Sequence, residues 1–177
     1  MLVIKRLTTE ELILKASSLK VGEKLLISGV VFTARDSAHK RLASMIKSGE
    51  KLPINLSESV IYYAGPSEAP PGLASGSCGP TTSKRMDPFT PLLMDNGLKV
   101  MIGKGERNKE VINSIKKHKG VYLLAIGGAG ALAAKAIKSL EIIAFEYLGT
   151  ESIKKLVLED FPVFVGIDSE GNNIFRR

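Results

Sequence analysis

The chain has 177 residues, 44% of them hydrophobic and 24% charged, with a formal net charge of +7. That length and balance suit one folded α/β-sized domain with a real core, and exclude a disordered tail or a low-complexity scaffold. No apolar run reaches the roughly 20 residues that a bilayer crossing needs, and the N-terminal MLVIKRLTTEE turns acidic where a signal peptide would stay apolar, so a cytoplasmic protein is expected.

Thr8-Thr9-Glu10-Glu11 is a capping-box start for a short amphipathic helix running to about Ser18. Val21-Gly22-Glu23 then turns the chain into an apolar strand, Lys24 to Phe32. Asp36 to Lys47 reads as a helix with Ala38, Leu42, Ala43 and Ile46 on its apolar side, ended by Gly49. Ser59 to Ala64 is a second strand and leads into a Gly/Pro/Ser loop over 65–80, expected to be mobile or functional. Thr82 to about Asn96 reads as a helix that Pro88 and Pro91 bend or divide. Beyond it the pattern alternates: strand Leu98 to Ile102, helix Asn108 to His118, strand Val121 to Ile126, helix Gly130 to Leu140. Strand Ile142 to Tyr147, helix Thr150 to Leu156, strand Val163 to Ile167 and a turn at Glu170 to Asn173 complete it. This order predicts a single α/β domain over 1–177 with a partly parallel sheet.

The positive charge favours an anionic partner. Trp is absent and aromatics are only 6%, so an interleaved basic and aromatic surface for stacking bases is lacking and nucleic acid is not the expected ligand. The single cysteine, Cys78, excludes an internal disulfide and cannot by itself supply several thiolates to a metal cluster.

Three segments carry chemistry. In SGSCGPTTSKRMD, Gly79-Pro80 turns the chain and Thr81, Thr82 and Ser83 sit where a helix would begin, a start that attracts anions. A helix from Thr81 would put Arg85 on the same face, so that a hydroxyl, N–H donors and a guanidinium converge on one carboxylate or phosphate. The plainer reading, two threonines capping a helix beside a solvated arginine, is equally compatible with the spacing. TARDSAHKR, residues 33–41, lies between a strand and a helix, where open α/β sheets bind ligands. Arg35 and His39 are four apart there, with Asp36 at the helix start; an ordinary basic helix surface is the alternative. IGKGE, residues 102–106, flanks Lys104 with glycines but lacks nucleotide P-loop spacing. GGAGAL, residues 127–132, lacks a full dinucleotide fingerprint and fits close packing of a helix on a sheet better. His118 suits the basic end of a helix.

TARDSAHKRL, YYAGP, GSCGPTTSKRMD, IGKGE, GGAGAL, EYLGTESIKKL and DFPVFVGID, in this order, resemble the C-terminal domain or separate β subunit of class I fumarate hydratases and L-tartrate dehydratases. The resemblance covers about Val21 to Asp168. It implies a swivelling β/β/α domain with a mixed, partly parallel sheet and flanking helices. It implies a partner α subunit in a higher hetero-oligomer, carrying the thiolates of a [4Fe–4S] cluster whose open iron acts as Lewis acid on the substrate hydroxyl. Metal ligands are expected from that partner and none from this chain. By the same resemblance Arg35, Arg85 and Lys104 bind the carboxylates of a small dicarboxylate, and Thr81 with Arg85 is catalytic, Thr81 as the base. Asp36, His39, Thr82 and Ser83 are expected behind the site or at an interface. The activity implied is reversible hydration of fumarate to (S)-malate, with tartrate dehydration as the close variant. A non-catalytic module for anions or nucleic acid is the alternative of a different class.

Overall fold

Two long strands organise the molecule, as seen in a computed structural model that describes residues 3–125 and 130–176. The first is β2, Lys24–Thr33, and the second is β7, Ile153–Ile167; they pair antiparallel over most of their length. In chain order the other elements are β1 Ile4–Thr8, α1 Thr9–Lys15, α2 Asp36–Ser48, β3 Val60–Tyr62, α3 Thr90–Asp95 and β4 Val100–Gly103. There follow α4 Lys109–His118, β5 Val121–Ala125, α5 Gly130–Ala136 and β6 Ile137–Ala144. Strands β1 to β5 pair in parallel, each with the next, while β7 runs antiparallel to β5, β6 and β2. The circuit β2-β3-β4-β5-β7-β2 therefore closes, which removes the open hydrogen-bonding edges of those strands. The expected mixed, partly parallel sheet with flanking helices is what the chain forms.

Both faces of its central strands β3, β4 and β5 are buried, which is why these read as apolar runs. Val60, Tyr62, Val100, Ile102, Leu123 and Val165 face one core cluster, together with Leu25, Ile27 and Val31. The alternate residues Ile61, Tyr63, Met101, Tyr122 and Leu124 face a second cluster, covered by Ala38 and Leu42 of α2, Leu93 of α3 and Val111 and Ile115 of α4. Each fully buried aliphatic side chain contributes about 1.5–3 kcal/mol. At the start of α1 the capping box forms as read: Glu11 N donates to Thr8 Oγ1 (3.1 Å) and Thr8 N to Glu11 Oε2 (2.9 Å). α1 packs against β2 at Gly29, whose φ is +121° and whose missing Cβ would strike Thr9 Oγ1.

Several expectations are corrected. Strand β1 precedes the first helix and is absent from the sequence reading. The helix expected over Thr82 to Asn96 is two pieces, a 3-10 turn Ser83–Met86 and α3, divided by Pro88 and with Pro91 just inside α3. The helix from Gly130 stops at Ala136, and β6 occupies Ile137–Ala144 in place of a strand over Ile142 to Tyr147. No helix forms over Thr150 to Leu156; a 3-10 segment Glu146–Glu151 leads straight into β7. The physical cause is shared. Register shifts between Ile137/Ser139 and Ile142/Ala144 break the period of two in β6. In β7 the Ile153 to Leu156 spacing mimics a helix because Lys154, a polar residue, is buried. Gly127 to Ala129 of the GGAGAL motif lie outside the described residues; of its remainder Gly130 is half-buried and Ala131 and Leu132 are exposed, while Ala133, Ala134 and Ala136 of α5, beyond the motif, are buried.

Candidate active site

The parallel strands bring their carboxyl ends to one edge. Thr33 of β2, Tyr62 of β3 and Ile102 of β4 lie in register, since Thr33 pairs with Tyr62 and Tyr62 with Ile102. Arg35 and Lys104 each stand two residues beyond that line, so they flank β3 at two strand spacings, about 10 Å apart at the backbone. The chain beyond β3 runs out through the 65–80 loop and returns between them. Thr81 N donates to Tyr63 O (2.8 Å), Ser83 N donates to Lys104 O (3.1 Å), and Thr82 bridges Lys104. Thus Arg35, Thr81, Arg85 and Lys104, distant in sequence, gather at one sheet edge, the position where open α/β sheets bind ligands.

The local geometry explains how each is held. Arg35 is the N-cap residue of α2 and lies against Gly65, where a Cβ would crowd its Cδ at 3.1 Å and Thr150 O at 2.9 Å. Its Nε is 4.0 Å from Glu151 Oε1, and the Glu151 carboxylate also accepts from Ser37 N (3.3 Å) and Ser37 Oγ (3.2 Å). Arg85 reaches across to Asp36, Nη1 to Oδ2 3.9 Å, with side-chain exposures of 56% and 39%. Lys104 is exposed, Thr81 half-buried and Thr82 exposed. Ser83 is buried and uses its hydroxyl inward: Lys104 N donates to Ser83 Oγ (3.0 Å), which also bonds the Tyr122 hydroxyl (2.8 Å). Gly103 permits this approach, since a Cβ there would collide with Ser83 Oγ.

Two features of the sequence reading change. The segment at Thr81 is not a capped α-helix start: Thr82 makes no side-chain cap bond, and the N–H groups of Thr81 and Ser83 are spent on Tyr63 and Lys104. Arg85 reaches the edge through a 3-10 turn instead. His39 does not share an exposed face with Arg35. Its ring is fully buried, 5.3 Å from the Tyr63 ring, and Nδ1 bonds Arg35 O at 2.9 Å. Burial pushes its pKa down to about 4 and the Arg107 charge adds to that, so it is neutral near pH 7. His118 stands at the basic end of α4, as its position suggested, and there also meets Asp95 at 2.7 Å.

Residues that the sequence reading passed over support this edge. Arg107 and Asp87 form an ion pair of 2.6 Å with side-chain exposures of 0% and 3%. The Tyr63 and Tyr122 rings both lie within cation–π distance of that guanidinium. Glu151 and Lys154 fix the Arg35 side, with Lys154 Nζ donating to Gly149 O and Thr150 O, both at 3.1 Å. The one sequence signal for Arg107 and Asp87 is their place two or three residues after Arg85 and Lys104, in stretches whose ends must be anchored.

Cys78, near the end of the 65–80 loop, is buried, with Tyr62 donating to its carbonyl (2.7 Å) and burial pushing its thiol up to about 12. A protonated, enclosed thiol does not fit the thiolate ligand of an iron–sulfur cluster, and the chain has no second cysteine. Beside the edge runs an open groove of about 390 Å³, lined in part by Pro66, Ala69, Ala74, Leu140, Ile142 and Thr150. No helix among the described residues is long and apolar enough to cross a membrane.

These observations define a class: a mixed α/β domain in which the segments carrying Arg35, Thr81, Arg85 and Lys104 meet at the carboxyl ends of its parallel strands. The chain belongs to the Fumarase C-terminus family, whose model matches residues 3–177. It is 41% identical over 170 residues to the anaerobic class I fumarate hydratase of Escherichia coli, covering 95% of this chain and 31% of that protein. It is 42% identical over 163 residues to fumarate hydratase 2 of Leishmania major, covering 91% of this chain and 29% of that protein. A protein described as the β subunit of an L(+)-tartrate dehydratase in Methanocaldococcus jannaschii is 39% identical over 165 residues, covering 90% of this chain and 85% of its own length. The chain thus spans about a third of the fumarate hydratases and most of the separate β subunit.

Proposed function

We propose that this chain is the β subunit of a cytoplasmic, heteromeric hydro-lyase of the class I fumarate hydratase type, reversibly hydrating fumarate to (S)-malate. The observation that carries the reading is the convergence of Arg35, Arg85 and Lys104 at one sheet edge, with each arginine only loosely matched by a carboxylate at about 4 Å. Such cations can exchange a protein carboxylate for a substrate one. The spread of about 10 Å between the Arg35 and Lys104 backbones leaves long side chains room to close on both ends of a four-carbon dicarboxylate.

In the dehydration direction a proton leaves the carbon next to a carboxylate, and negative charge builds on that carboxylate's oxygens. Fixed cations stabilise this charge more than they stabilise the ground state. In this reading Thr81 takes that proton as its alkoxide, its own hydroxyl proton having first passed to solvent, a state that the positive charge of Arg85 and its neighbours favours. The iron–sulfur cluster of this enzyme class belongs, in this reading, to an α subunit equivalent to the missing two thirds of the single-chain relatives. The exposed Leu73, Ile142 and Tyr147 near the groove give that subunit apolar surface to cover.

The length match to the separate tartrate dehydratase β subunit makes L-tartrate dehydration to oxaloacetate the second reading. One experiment separates them. The chain is co-expressed with its α subunit, the cluster is reconstituted anaerobically, and fumarate, malate and tartrate are assayed. Turnover of fumarate and malate supports the first reading and turnover of tartrate the second. A complex with an intact cluster that converts none of the three would refute both.

A further inference from the structure

We propose that the Asp87–Arg107 pair is a positioning clamp that holds the Thr81–Arg85 segment and the Lys104 loop in one register, a role that rests on the function proposed above. Asp87 follows Arg85 by two residues and Arg107 follows Lys104 by three. Arg107 Nε donates to Asp87 Oδ1 (2.6 Å), while Asp87 Oδ2 accepts from Asn108 N (2.8 Å). Arg107 Nη2 donates to Thr90 Oγ1 (2.8 Å), and that hydroxyl donates to Met86 O (2.8 Å). The guanidinium therefore ties the start of α4 to both ends of the Met86 to Thr90 turn. It lies 5.2 Å from the Tyr63 ring and 4.9 Å from the Tyr122 ring. The Tyr122 hydroxyl in turn bonds Ser83 Oγ (2.8 Å) and Gly105 O (2.9 Å), one group on each cation-bearing segment.

Burying this charge pair brings no evident gain in stability, because well-packed apolar residues of the same size hold a core as well or better. A planar guanidinium does offer fixed directions for several donors at once, which apolar packing lacks. Its Nε and Nη2 bonds end on Asp87 and Thr90, which bracket the turn that follows Arg85, while Nη1 lies 4.0 Å from Met101 Sδ in β4, the strand that leads to Lys104. A shift of about 1 Å in such a support is enough to lower a rate about 100-fold.

The test uses the full chain, alone and in complex with its α subunit, and two variants. Arg107→Lys keeps the charge but loses the fork. The double variant Asp87→Asn with Arg107→Gln removes both buried charges, strands neither, and is expected to fold where a single change fails. Amide hydrogen exchange is expected to rise about tenfold or more in residues 79–87 and 103–108 together, with β1 and α1 unchanged. In the complex, kcat is expected to fall about 100-fold with KM changed far less, the signature of lost transition-state alignment. Exchange that rises in only one of the segments, or evenly over the sheet, would overturn the clamp. So would a double variant with wild-type kcat. If the wild-type complex converts none of the three acids, the proposed function fails, and the exchange pattern still decides whether the two segments are clamped.

Discussion

The molecule holds two arginine–aspartate pairs that meet in sequence at Arg85 and Asp87 and are opposite in physics. Arg107–Asp87 is closed at 2.6 Å and shut away from water, whereas Arg85–Asp36 is open at 3.9 Å with more than half of the arginine side chain exposed. In the interior an unmatched charge is costly, so the first pair is committed to its partners. At the surface water screens the attraction, so the second pair is worth little and is free to change partners. The contrast separates support from action: the buried pair fixes the frame, and the exposed arginine is available to a ligand.

The largest expected effect comes from the exposed member. Arg85→Ala should lower kcat/KM of the assembled enzyme about 1,000-fold, the usual scale for losing one group that stabilises developing charge. Its melting temperature should stay within a degree or two of wild type. A large loss of stability would erase the distinction between the two pairs. Asp87→Asn should do the reverse in a denaturant titration, costing about 3–5 kcal/mol because it strands a buried guanidinium. A loss below about 1 kcal/mol would show that Arg107 finds other compensation.

The clarity of these pairs in sequence was unequal. The segments that carry Arg35, Thr81, Arg85 and Lys104 were legible, because glycines, hydroxyls and cations cluster at strand ends. The parallel strands between them were legible as apolar runs. Arg107 and Asp87 were not, because nothing in a lone arginine announces that it is buried; only the pairing of two loops 20 residues apart reveals it. The region from Gly130 to Tyr147 and Thr150 to Leu156 was misread for a related reason. Bulges in β6 and the buried Lys154 in β7 erase the period of two, and an apolar spacing of three remains. His39 was expected behind the site or at an interface; the helix turns it into the core, where its ring bonds Arg35 O.

His39 supplies a pH-dependent contrast with the surface charges. Its pKa lies at about 4 when folded against 6.5 when free, so the unfolded chain takes up a proton that the folded chain refuses. Stability is therefore whole above about pH 6.5 and lost as pH falls toward about 4, by about 3 kcal/mol in all. Chemical denaturation of wild type and His39→Gln across this range checks the sign: the variant should show a flatter profile. An equally steep profile would place the titrating group elsewhere. The smallest effect belongs to Asp36→Asn, expected to change stability by no more than about 0.5 kcal/mol, as for other exposed pairs. A cost of several kcal/mol would mean that the Arg85–Asp36 pair is as fixed as the buried one.

The central claim is that this chain supplies the cationic half of a divided dicarboxylate site. Its most direct test is a titration of this chain into anaerobically reconstituted α subunit with malate or fumarate present. The account expects no turnover from the α subunit alone, and activity that rises with added chain until the two are equimolar. Full activity from the α subunit by itself, unaltered by this chain, would contradict it.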